Sequence, residues 1–129
     1  MSSYDLGIWQ SEGPLSAAEA SHIYSAFCRG ENPPRVPRNS PAVTAFYADL
    51  TTQWPDAQSS DDPRKRKHTG TPDLGPWAAP INHTDSRVLL SCHWSAAETV
   101  CAFVDRLANH HGLVLFDPQT EEVYLPEAR

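Results

Sequence analysis

The stretch VLLSCHWSAAETVCAFVDRLANHHGLVLFDP, residues 88–118, decides the fold of this chain. Residues 88–94 form a largely apolar run, which is typical of a strand in the middle of a sheet. Ser95 and Glu98 then have the spacing of a capping box, which predicts the start of a helix. Residues 113–116 follow that helix and predict a short buried strand. A strand, a helix and a second strand are therefore expected over this stretch.

The first part of the chain predicts one strand followed by two helices. Residues 4–9 alternate between apolar and polar positions, which is the period of a strand. Ser16 and Glu19 form a capping box ahead of apolar residues at helical spacing, so they predict a first helix. Ser40 followed by Pro41 predicts an N-cap and the first turn of a second helix.

The remaining segments complete a single α+β domain spanning residues 1–129. Residues 56–76 are rich in Asp, Ser, Pro and basic residues and predict an exposed, flexible loop. Short strands are expected at residues 77–82 and 123–125. The predicted order is βαββαβ with an extra short edge strand, once the two early helices are merged into one crossover. That order is the ferredoxin-like split βαβ arrangement, an antiparallel sheet with helices on one face.

Composition predicts a cytoplasmic protein without a membrane span. The longest apolar run is far shorter than the roughly 20 residues that a membrane span needs. The first residues lack the basic and apolar regions of a secretory signal. Three cysteines without a C-x-x-C spacing predict reduced thiols, as in cytosolic proteins.

The charge of the chain is uneven. The net charge is −6, and four of the ten basic residues lie in the tetrad at residues 64–67, Arg-Lys-Arg-Lys. Without this tetrad the net charge falls from −6 to −10. An acidic surface disfavours nucleic acid, because phosphates carry the same sign, and it favours a basic partner.

No catalytic centre, metal site or cofactor site is predicted. Cys92 and His93 are adjacent in a strand, so their side chains point to opposite faces and cannot chelate one ion. Cys101 lies at the middle of the predicted helix, where an inert buried thiol is expected. His83 and His93 could approach each other across a hairpin, but two ligands do not make a zinc site. There is no glycine-rich phosphate loop.

The chain resembles a group of small bacterial immunity proteins of polymorphic and contact-dependent toxin systems over about half its length. The similar motifs are Tyr4-Asp5-Leu6-x-x-Trp9, Gly13-Pro14-Leu15-Ser16-x-x-Glu19-Ala20, Trp94-Ser95-Ala96, His111-Gly112-Leu113-Val114-x-Phe116-Asp117-Pro118-Gln119 and Val123-x-Leu125-Pro126. The resemblance implies a stable small fold without an active site. It also implies a surface with charge opposite to that of a cognate toxin.

The first hypothesis is therefore a non-enzymatic immunity-like protein that binds and neutralises a cognate, basic toxin protein. Its contact residues are expected around the long loop, at acidic positions and one rim tryptophan: Asp56, Asp61, Asp62, Asp73, Trp77 and Asp85. An exposed edge strand could also pair with a second copy in a homodimer.

Two other classes of function stay open at this point. A small ferredoxin-like enzyme acting on a small molecule would use His83, His93 and Asp85, which are expected near one hairpin. A nucleic-acid-binding regulator would use the tetrad Arg64–Lys67.

Overall fold

The computed structural model of the chain describes residues 3–56 and 76–126. In chain order the elements are β1 (Tyr4–Trp9), α1 (Ala17–Cys28), α2 (Pro41–Gln53), β2 (Asn82–His83), β3 (Arg87–Cys92), α3 (Ala97–His110), β4 (Val114–Asp117) and β5 (Glu122–Tyr124). A single 3₁₀ turn, Trp94–Ala96, precedes α3. The predicted α+β class is confirmed.

The strands form one antiparallel sheet in the order β2-β3-β1-β4-β5. β3 is an inner strand, as its apolar sequence predicts. The register pairs Tyr4 with Cys92 at one end of β1, and Trp9 with Arg87 at the other. We call these the Tyr4 end and the Trp9 end of the sheet. Tyr4 and Trp9 are five positions apart in sequence, which is about 17 Å along a strand.

Helices α2 and α3 pack on one face of the sheet. The alternation in β1 points Leu6 and Ile8 to this face, as the sequence predicts, and both are buried there. Phe46 of α2 and Val104 of α3 belong to the same core, together with Trp77. This face holds the larger of the two cores.

Helix α1 packs on the opposite face, so the expectation that the helices share one face is wrong. Trp9 and Phe116 point to this second face and form a core with Phe27 of α1. Gly7 lies beneath this helix, and a Cβ atom there would be 2.8 Å from Cδ1 of Tyr24. Helical periodicity defines the apolar stripe of a helix but not the side of the sheet that receives it.

Two of the three predicted helix starts are confirmed. The Ser16 hydroxyl accepts from the Glu19 amide at 3.1 Å, and the Glu19 carboxylate accepts from the Ser16 amide at 2.9 Å. The Ser40 hydroxyl accepts from the Val43 amide at 3.2 Å. The capping box at Ser95 is wrong, because Ser95 lies inside the 3₁₀ turn and α3 starts at Ala97 without a side-chain cap.

The segment before β2 is less regular than predicted. Trp77 makes one bridge to Cys92, and strand pairing resumes only at Asn82–His83. The rest of the predicted loop, residues 57–75, lies outside the described residues. Within residues 3–56 and 76–126, none of the helices combines the length and the apolar character needed to cross a bilayer.

Candidate partner-binding surface

Aromatic rings and carboxylates on the face that carries α3 extend over the sheet from Tyr124 of β5, which the register places level with Ile8, to the Tyr4 end. β1 begins there, β3 and β4 end there, and the 3₁₀ turn leads from β3 into α3. Tyr124 is paired with Leu115 and Glu122 with Asp117, so both side chains lie on this face. We call this the acidic–aromatic surface, and its residues are Tyr4, Trp94, Asp105, Asp117, Glu122 and Tyr124.

Asp117 is the buried centre of this end. One carboxylate oxygen, Oδ2, accepts a short hydrogen bond from the Tyr4 hydroxyl. The other, Oδ1, accepts from the backbone amide of Gln119 at 2.9 Å and from the Gln119 side chain at 2.6 Å. The turn after β4 and the start of β1 are thereby fixed to one carboxylate, as the sequence Asp117-Pro118-Gln119 suggests for a turn.

The Gln119 side chain also replaces a missing strand pair. Gly7 pairs with Phe116, so continuing the antiparallel register would place Pro118 opposite Asp5. Proline has no amide hydrogen to donate to the neighbouring strand. The Gln119 amide group donates to the Asp5 carbonyl at 2.7 Å and accepts from the Asp5 amide at 2.6 Å. These bonds extend the β1–β4 pairing and hold Tyr4 in place.

Three large apolar side chains are exposed, one at the Tyr4 end (Trp94) and two on the edge of the sheet at β5 and just after it (Tyr124 and Leu125). Trp94 is 43% exposed, Tyr124 45% and Leu125 42%. The Tyr4 and Trp94 rings meet edge to face with centroids 4.8 Å apart. By contrast, Trp9 and Trp77 are fully buried. Exposed tryptophan and tyrosine side chains are typical of protein interfaces.

The pKa values of three side chains are raised here, in part by carboxylate charges. The hydroxyl of Tyr124 donates to the Glu122 carboxylate at 2.8 Å. This bond, burial and the charges of Glu122, Asp117 and Asp105 raise the pKa of Tyr124 to about 12. The bond to Asp117 is the main reason that the pKa of Tyr4 is raised. The pKa of the Cys101 thiol is raised by burial and by the charges of Asp117 and Asp105.

Few cations compensate this charge. The described residues contain twelve acidic side chains but only five arginines and no lysine. Arg29 and Arg35 form exposed ion pairs with Glu31 and Glu19. Arg87 lies over the Phe27 ring at the Trp9 end, 5.2 Å from its centroid. Arg106 follows Asp105 on α3, yet in residues 3–56 and 76–126 no arginine pairs with a carboxylate of the acidic–aromatic surface.

Two predicted contact residues, Asp56 and Trp77, belong to the interior instead. Asp56 is 7% exposed and accepts from the Tyr47 hydroxyl at 2.7 Å and from the Ile81 amide at 3.1 Å. The Trp77 indole donates to the Trp54 carbonyl at 3.2 Å and is fully buried. Their side chains close the core where α2 meets the segment before β2. The expectation that they face a partner is corrected.

The other predicted contact residues divide into two groups. Asp85 is exposed in the turn between β2 and β3, where its carbonyl accepts from the Ser40 amide at 2.9 Å. That turn lies at the Trp9 end, away from Trp94. Asp61, Asp62 and Asp73, and the tetrad Arg64–Lys67, lie outside the described residues.

The histidines that motivate the enzyme hypothesis are not brought together. His83 pairs with Val88 and its ring stacks on Tyr47 with centroids 3.7 Å apart. His93 follows the far end of β3, about five residues further along the strand. No three His, Cys, Asp or Glu side chains in the described part of the chain are grouped so that they could hold a metal ion.

Two open depressions occur elsewhere on the surface. One, of about 420 Å³, lies between the start of α2 and Asp85, and one of about 410 Å³ lies between α1 and Glu121. Neither is lined by residues of the acidic–aromatic surface. Exposed aromatic rings suit a macromolecular partner.

Sequence reasoning misses Trp94 and Tyr124 as surface residues. A signal for Trp94 exists, because it follows a central strand directly and so must lie at an end of the sheet. Tyr124 lies on the same face as Leu115 only because of the β4–β5 register, and that register is not visible in a three-residue strand.

The chain matches no protein-family profile, no curated protein and no solved structure.

Proposed function

We propose that this chain is a non-enzymatic, immunity-like protein of the bacterial cytoplasm that binds and neutralises a cognate basic toxin domain. The observation that supports this proposal is the acidic–aromatic surface. It combines exposed Trp94 and Tyr124 rings with three carboxylates that lack an arginine partner among the described residues. Such rings supply binding energy, and the unbalanced negative charge attracts a basic protein.

The proposed role agrees with the chemistry of a nuclease-like toxin. A protein that binds phosphates carries a basic active site, and an acidic inhibitor is drawn to it quickly at low ionic strength. Neutralisation then requires only that the inhibitor cover this site. A small fold with a rigid surface is sufficient, because no reaction has to be catalysed.

We further propose a ferredoxin-like core for this fold. The support is that β1, β2, β3 and β4 are antiparallel to their neighbours, with α2 and α3 on one face. The additional strand β5 and the helix α1 on the second face depart from the plain four-stranded arrangement.

Affinity capture followed by a growth assay tests the functional proposal. The tagged protein is used as bait in lysate of the source bacterium, and bound proteins are identified by mass spectrometry. The captured protein is then expressed alone and with this chain. Growth arrest that co-expression relieves would support an immunity role. A captured protein that does not inhibit growth, or whose toxicity co-expression leaves unchanged, would contradict it.

A further inference from the structure

We propose that the outer edge of β5 receives an extended segment of the protein partner as a sixth strand of the sheet, and that this segment carries basic side chains. This inference rests on the proposed function for the identity of the partner. It does not rest on that function for the chemistry of the site, which can be tested with peptides.

The backbone at the centre of β5 faces outward. The amide and the carbonyl of Asp5 bond to the Gln119 side chain on the β4 side of β1. Gly7, two residues further along β1, therefore directs its own backbone groups to its partner Phe116 in β4. Because Phe116 bonds to β1, its partner Val123 in β5 points its N–H and C=O away from β4. In the described part of the chain no strand pairs with that side of β5, so these groups can pair with another chain.

A groove lies beside this edge on the face that carries α1. It has a volume of about 410 Å³, and one of its walls is Glu121, which directly precedes β5. The other wall is the outer side of α1, whose residues here are small or polar: Ala17, Ala18, Ser21, His22 and Ser25. Alternate side chains of an added strand would point to this wall, where the small helix residues leave room for them.

Apolar side chains at this edge are available for contact. Tyr124 points to the face that carries α3, and Leu125 follows it directly; both are about half exposed. A strand added beside β5 would cover part of each side chain. Apolar burial would then add to the backbone hydrogen bonds, as in other complexes in which a peptide extends a sheet.

The charge of this edge selects the kind of segment. Glu121 and Glu122 are exposed, and neither forms an ion pair with an arginine within residues 3–56 and 76–126. Charges on an edge strand oppose pairing with a strand of like charge, and a second copy of this chain brings the same carboxylates and a net charge of −6. Opposite charges on neighbouring strands attract each other. A basic segment is therefore the occupant that fits.

The test begins with the selection of binders from a display library of random dodecapeptides, with the whole protein as the target. We expect the enriched peptides to alternate basic residues with β-branched or aromatic ones. Hydrogen exchange measured by NMR then locates the contact, and the Val123 amide should exchange at least about tenfold more slowly in the complex. Failure to enrich any peptide, enrichment of acidic peptides, or an unchanged Val123 exchange rate would overturn the proposal.

Two variants test the backbone and the groove separately. Val123→Pro removes the outward amide and should weaken binding of the selected peptide by about tenfold. Ser25→Trp fills the groove from the exposed side of α1 and should weaken binding by a similar factor, because the added strand is excluded. Gln53→Trp, the matched control at the exposed end of α2, should leave the affinity within about twofold. Urea denaturation checks the fold, and Ser25→Trp decides if Val123→Pro is unfolded.

Paired substitutions distinguish the edge from general charge attraction. Glu121→Gln together with Glu122→Gln should weaken binding of the selected peptide by about fivefold, since two cross-strand charge pairs are lost. The matched control is Asp85→Asn together with Glu31→Gln, which removes the same charge away from this edge and should leave the affinity within about twofold. Equal losses in both variants would overturn the proposal.

The peptide result and the growth assay fail independently. If the growth assay fails and basic peptides still protect the Val123 amide, the edge site stands without a toxin partner. If co-expression relieves toxicity and Ser25→Trp binds the captured partner with unchanged affinity, the edge site is overturned while the immunity role holds. A dimer by light scattering, with the Val123 amide protected in the free protein, would assign the edge to a second copy and also overturn the proposal.

Discussion

The two ends of the sheet use the same kinds of side chain for different purposes. At the Trp9 end, the tryptophan is buried against Phe27 and Phe116, and Arg87 lies over the Phe27 ring. At the Tyr4 end, Trp77 is buried in the core but Trp94 is exposed, and no arginine pairs with the carboxylates in the part of the chain that the structure describes. Trp9 is therefore committed to the core at its end of the sheet, whereas the Tyr4 end has an exposed indole in addition to a buried one.

The largest expected effect is the difference in stability between substitutions of Trp9 and of Trp94. Trp9→Ala removes a fully buried ring and should lower the free energy of unfolding by about 3–5 kcal/mol. Trp94→Ala removes a half-exposed ring and should cost about 1 kcal/mol or less. Urea denaturation followed by circular dichroism measures both. Similar losses in the two variants would contradict the division between the ends.

Asp117 is the exception at the Tyr4 end, because it is buried and fully bonded. Asp117→Ala leaves the Tyr4 hydroxyl and the Gln119 amide without their acceptor and should cost about 2–3 kcal/mol. Glu122→Ala, on an exposed carboxylate, should change stability by about 0.5 kcal/mol at most. If denaturation curves show that Glu122→Ala lowers the free energy of unfolding as much as Asp117→Ala does, Asp117 does not have this central role.

Gly7 tests how closely α1 packs on the second face of the sheet. An alanine Cβ at this position would be 2.8 Å from Cδ1 of Tyr24 and 3.1 Å from Cζ3 of Trp9. Gly7→Ala should therefore cost about 1–2 kcal/mol through overpacking. Tyr24→Ala removes the nearer contact, so the added cost of Gly7→Ala should shrink in the double variant. An unchanged cost in that thermodynamic cycle would contradict the close approach.

The smallest expected effect concerns pH. Because the pKa of Tyr4 is raised in the folded protein, its contribution to stability is complete below about pH 10 and is lost as the pH rises further. Tyr4→Phe should flatten the alkaline loss of stability and cost about 1 kcal/mol at neutral pH.

Tyr124→Phe is the matched variant for that measurement. The pKa of Tyr124 is about 12, so this substitution should flatten the alkaline curve between about pH 10 and 12. Its neutral cost should be smaller, because the Tyr124 ring is half exposed. Stability curves from pH 8 to 12 check both variants. An alkaline slope that stays the same in Tyr4→Phe would contradict its bond to Asp117.

Local signals in the sequence predict the elements better than their arrangement. Ser16 and Ser40 start helices where their side chains predict it, because an N-cap depends on neighbours three residues away. Ser95 does not cap a helix, because it lies inside the 3₁₀ turn in which the Ala96 amide donates to the His93 carbonyl. The buried position of Trp77 depends on its bridge to Cys92, a distant residue.

The candidate surface is the part that sequence reasoning cannot assemble. Its residues come from β1, the 3₁₀ turn, α3, β4 and β5, and their placement depends on the strand register and on the packing of α3 against the sheet. Acidic composition suggests a basic partner as a hypothesis, but it cannot select which carboxylates lack a cation. Proximity in sequence groups the predicted contact residues around the long loop, but the structure places Asp56 and Trp77 in the core.

The most direct test is the affinity of the captured partner for three versions of this protein, measured by isothermal calorimetry at low and moderate salt. Trp94→Ala should raise the dissociation constant by more than about tenfold, as expected for a central interface residue. Asp85→Ala, at the Trp9 end, should leave it within about twofold. A strong loss with Asp85→Ala and none with Trp94→Ala would contradict the assignment of binding to the Tyr4 end of the sheet.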